Sequence, residues 1–144
     1  MRASPLSEQH RGEIRLAVER ALAQWLGAGP PREPAQVVQG LERVLLFLRQ
    51  NGSPSRQAAH VTSLALAWGE QVVRAAGWAW MNVAEEGALN PGLVSPGGAH
   101  ACLPVDVVTV LVMERKGSLV ALYRRLVDGP LPPAAGEALV LIDG

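Results

Sequence analysis

One cysteine, Cys102, stands in 144 residues. An intrachain disulfide is therefore impossible and a thiolate zinc cluster is excluded. Net charge is missing too, since 13 basic residues offset 13 acidic ones. Nucleic-acid binders carry a basic surplus, because phosphate neutralisation dominates their affinity; no nucleic-acid partner is expected. Lys116 is the only lysine, arginine supplying every other basic residue. No uninterrupted apolar run reaches the roughly 18 to 20 residues of a spanning helix. The opening "MRASPLSEQHRGEIR" has no apolar signal-peptide core. These absences predict a cytoplasmic protein with no membrane partner. There is no internal repeat and no low-complexity segment, and "GGAHA" does not follow a phosphate-loop pattern.

The composition is that of a globular chain, 49% hydrophobic and 18% charged. Its length suits one domain spanning 1–144, helical over 4–76 and mixed strand and helix over 77–144. The first helix is expected to be capped by Ser4, with Pro5 at its first position. Ile14, Val18, Ala21, Leu22 and Trp25 form its stripe and Gly27 ends it. A second helix starts near Pro34, with Val37, Val38, Leu41, Val44, Leu45 and Leu48 inward and Gln39, Arg43 and Arg49 outward. "NGSPS" ends it and offers Ser53 or Ser55 as the next cap.

The third helix, about 55–76, is apolar on two sides. Val61, Leu64, Ala65, Trp68, Val72 and Ala75 make one face, with Leu66 and Val73 nearly opposite. Such a helix is covered twice, which places it centrally, the first two helices on one face and a sheet on the other. Gly69 would let another backbone approach. After Gly77 the period changes: "WAWMNV" reads as a strand, and "LNPGLVSPGGAHACL" as two extended pieces joined by an "SPGG" turn. Pro91 makes the middle piece irregular or an edge. "PVDVVTVLVMERK" is rich in valine, but its Pro104 start and the spacing of Val105, Val108, Leu111 and Val112 favour a helix. "SLVALYRRLV" follows as a short helix capped by Ser118, and "ALVLID" as a last strand or packed tail. The expected fold is α+β: three N-terminal helices packed beside a small antiparallel sheet, then two short helices.

The order of these pieces resembles a loose group of small, uncharacterised bacterial domains of unknown function. The likeness covers roughly residues 58–127: the Gly69-Glu70 helix, the Gly77-Trp78 turn into a strand, a hairpin, a Pro104-led helix and the "LYRRL" helix. It implies an α+β fold, a bacterial origin and no established activity. Some domains of this kind sit near secretion or toxin genes, which implies an immunity or adaptor role.

Glu70 lies on the sheet-facing side of the third helix. A carboxylate there must be paired, hydrogen-bonded, neutralised or able to reach solvent. It is either an acid/base or ligand-binding group, or a structural acceptor for hairpin N–H groups or a partner of Arg124. Trp78 and Trp80 share one strand face, as core or as a partner-binding patch, Trp80 being the more exposed. His100 and Cys102, roughly 6 to 7 Å apart along a strand, permit a contact but orient a nucleophile and base poorly. Asp106 fits the first turn of its helix, where a carboxylate favours the dipole. Arg124 and Arg125 form an adjacent arginine pair, Arg124 being able to pair with a carboxylate. A metal would need Glu70, His60, His100 and Asp106 to converge from afar, so no metal and no cofactor are expected. Two function classes remain. The first is a non-catalytic protein-interaction domain; the other is a small enzyme or ligand-binding protein using Glu70 with His100 or Cys102. A homodimer is a third reading.

Overall fold

The computed structural model describes residues 2–27, 29–30, 32–51, 57–85, 87–134, 136 and 139–142. Over these the chain is α+β. It runs β1 (Arg2–Pro5), α1 (Glu8–Leu26), α2 (Pro34–Gln50), α3 (Ala58–Ala76), β2 (Ala79–Glu85), β3 (Ala88–Val94), β4 (His100–Cys102), α4 (Pro104–Glu114), α5 (Leu119–Asp128) and β5 (Val140–Ile142). The strands form one mixed sheet in sequence order, antiparallel from β1 to β4 with β5 parallel to β4.

The start of the chain departs from expectation. Ser4 and Pro5 do not open α1; they lie in β1, paired with Asn82 and Met81 of β2. An edge strand tolerates the missing proline N–H. The cap is instead Ser7, whose hydroxyl accepts the His10 N–H at 3.1 Å. Leu6 then turns inward against Ile14, Val18 and Leu66. The stripes of α1 and α2 fall where their spacing puts them, and Gly27 and Pro34 bound them. Ser53 and Ser55 lie outside the described residues, and α3 begins at Ala58.

Helix α3 is central, with every residue from Leu64 to Gly69 buried. It packs against α1, α2, α4 and α5, so its second covering is mainly helical rather than the expected sheet. Ala75, expected inward, is exposed, and buried Gln71 lies on the covered side instead. Trp68 is fully buried and its indole N–H donates to the Leu119 carbonyl at 3.1 Å.

Gly77, left-handed at φ 73°, stops α3 and its N–H reaches the Val73 carbonyl. In the sheet, β3 runs straight through Pro91, which pairs with Asn82. The strand is regular there, against one expectation, but the other expectation holds. Strand β4 reaches only Leu93 and Val94, so β3 is an edge at Pro91. The "SPGG" turn forms with the Gly98 N–H on the Ser95 carbonyl and Gly97 at φ 89°. Residues 104–114 are helical, and α5 buries Leu119, Leu122, Tyr123 and Leu126 as its spacing predicts.

Arg49 does not face out, as its place opposite the α2 stripe predicts. Its guanidinium donates to the carbonyls of Leu111 (2.9 Å), Lys116 (2.8 Å) and Gly117 (2.8 Å). Seven residues earlier, Glu42 accepts the N–H groups of Leu119 (2.7 Å) and Val120 (3.2 Å). Ser118 takes the N–H of Ala121. The orphan donors opening α5 and carbonyls closing α4 are thus met by side chains, each charge matching its helix dipole.

Candidate functional site

Glu70 answers its own question through Trp80. The indole Nε1–H of Trp80 donates to Glu70 Oε2 at 2.9 Å. The ring fits because residue 69 is glycine: a Cβ there would stand 2.6 Å from Trp80 Cη2 and 2.8 Å from Cζ2. Gly69 thus admits a side chain rather than the backbone expected from sequence. Among the described residues neither a backbone N–H nor Arg124 holds the Glu70 carboxylate, and Arg124 is exposed on α5.

Beside this pair lies a cleft of about 540 Å³ between α1, α3 and β2. Arg11, Arg15 and Glu19 line it from α1, over Ile14 and Val18; Glu70 lines it from α3, and Ala79 and Trp80 from β2. Positions 11, 15 and 19 recur every four residues, so one helix face carries all three. No described residue hydrogen-bonds to or ion-pairs with the side chains of Arg11, Arg15 or Glu19. Their i,i+4 spacing was a readable signal, but only the position of β2 gave it an opposing wall.

The other polar candidates are dispersed. The His100 Nε2–H donates to the Pro132 carbonyl at 2.6 Å, and its backbone N–H goes to Ser95 Oγ. Cys102 is buried in the core. Asp106 is exposed in the first turn of α4, bordering a separate apolar hollow with Glu13, Thr62 and Asn90. Neither His100, Cys102 nor Asp106 lines the cleft that holds Glu70. Trp78 is buried in the main core, and Trp80 is part-buried, the more exposed of the two. His60 is exposed and packs edge-on against Trp25, their centroids 6.3 Å apart. Among the described residues no three His, Cys, Asp or Glu side chains gather as a metal site, and no helix is long and apolar enough to cross a membrane.

Comparison with protein-family models, curated proteins and solved structures gives no match. The resemblance over residues 58–127 therefore rests on its motifs alone.

Proposed function

We propose that the protein is a non-catalytic interaction domain that works by holding a protein partner, an immunity or adaptor role being the narrower form of this reading. The observation that carries it is the contrast in how the polar groups are used. His100 is engaged by a loop carbonyl, Cys102 is buried and Glu70 accepts from an indole, while the cleft's α1 charges meet no described partner. Charges without a described partner beside a part-apolar wall suit recognition. The rival enzyme reading needs Glu70 with His100 or Cys102, and neither of these lines the cleft that holds Glu70.

Affinity purification of the tagged chain from its source cells, after cross-linking, tests the reading. It is expected to yield one protein in stoichiometric amount. Hydrolytic or transfer activity lost on His100→Ala or Cys102→Ser would instead establish the enzyme. A toxin gene beside the coding sequence narrows the role to immunity, and co-expression then protects against that toxin.

A further inference from the structure

We infer that the cleft between α1, α3 and β2 binds an extended peptide segment bearing an acidic, an apolar and a basic side chain in succession, supplied by the partner protein. The inference rests on the interaction-domain reading and names its site.

The cleft has two electrostatic ends. Glu19 and Glu70 also line the adjoining hollow along α1 and α3, whereas Arg11 and Arg15 line the cleft and not that hollow. The acid pair therefore sits at the shared end and the arginines at the other. A ligand of single charge sign meets repulsion at one end, which disfavours inorganic phosphate, polyamines and nucleic acid alike. A segment carrying both signs is matched at both.

The spacing selects an extended chain. Arg15 and Glu19 are separated by about 6 Å along the helix axis. Side chains two apart on an extended peptide are separated by roughly 6.6 to 7 Å and lie on one side. An acid at one position reaches Arg15, with Arg11 one turn further on, and a base two positions away reaches Glu19. The residue between them points the opposite way, toward Trp80 and Ala79. That wall is already set, because Glu70 holds the indole nitrogen and Gly69 leaves space for the ring. Binding then loses little freedom of the protein. The volume, about 540 Å³, lies within the usual range for a ligand site.

Fluorescein-labelled hexapeptides with Asp-Leu-Lys, Asp-Leu-Asp, Lys-Leu-Lys or Asp-Gly-Lys at their centre, flanked by Gly and Ser, provide the test by anisotropy. The Asp-Leu-Lys peptide is expected to bind at least about tenfold more tightly than either single-sign peptide, because like charges repel at one end of each. Loss of the central leucine weakens it. Arg11→Glu with Arg15→Glu is expected to abolish that preference and favour Lys-Leu-Lys, with an unchanged thermal midpoint since both sites are exposed. Glu70→Gln keeps an acceptor for Trp80 while removing the charge, and shifts preference toward Asp-Leu-Asp. Equal binding of the four peptides, no binding, or indifference to the double reversal overturns the site. Retention of a stoichiometric partner by the double-reversal protein also overturns it, leaving the interaction reading intact. Charge-selective peptide binding without any protein partner preserves the chemistry of the cleft and overturns that reading.

Discussion

Glu42 and Arg49 on α2, and Arg11, Arg15 and Glu19 on α1, are all charges repeated at helical spacing beside apolar stripes. On α2 they are consumed by the backbone of a corner: Arg49 closes on one carbonyl in the last turn of α4 and two just beyond it, and Glu42 on two N–H groups opening α5. On α1 the same residue types face a cleft and touch no described partner. The difference lies in what stands opposite. Two helix ends confront α2, rich in unsatisfied backbone groups. Across the cleft from α1 stand Trp80, whose one donor is already used, and Ala79. Charge at a corner becomes structure, and charge opposite a satisfied wall stays available.

The comparison can be tested from its strongest anchor outward. Trp68→Ala removes a fully buried indole and its bond to Leu119 at the start of α5. It is expected to cost about 3 to 5 kcal/mol in urea unfolding; a loss under about 1 kcal/mol would contradict the core assignment. Arg49→Ala strips three carbonyls of a cationic donor, part of it exposed, and should cost about 1 to 3 kcal/mol. Glu42→Gln keeps an acceptor but removes the charge from the α5 terminus, for about 0.5 to 1 kcal/mol, less in 1 M salt. Arg11→Ala and Arg15→Ala should each change stability by less than about 0.5 kcal/mol. A cost there like that of Arg49→Ala would erase the distinction.

One effect is absent at neutral pH. Burial raises the Tyr123 phenol above the ordinary tyrosine value of 10.0, and the Asp128 carboxylate adds to the rise. The folded chain therefore holds this proton more tightly than the unfolded chain, and stability falls as pH climbs from 10 through the folded value. Tyr123 is the only tyrosine, so its phenolate absorbance reports it directly. Titration at or below pH 10 would refute the burial argument.

Much of this was legible locally. The stripes of α1, α2 and α5, the Ser118 cap, the Gly77 stop and the "SPGG" turn are each signalled within a few residues, because helical period, caps and turns are short-range effects. The valine run at 105–112 reads as strand by propensity, yet it folds as α4. Proline at its first position and a helical stripe outweighed β preference, which depends on context. The "SP" at 4–5 misled, since the same dipeptide suits a helix start or an edge strand. Pairing with β2, almost eighty residues away, chose the strand.

By itself the sequence determined the α+β class, the helical stripes and most boundaries, all set by contacts between near neighbours along the chain. It also put Glu70 next to Gly69 and Trp80 close behind, the materials of a site. Only tertiary structure decided that Trp80 would lie over Gly69 and donate to Glu70, that Arg49 would turn from solvent to a corner, and that Arg11, Arg15 and Glu19 would overlook a cleft. Those outcomes depend on which backbone and side-chain groups arrive opposite each residue, and distant elements deliver them.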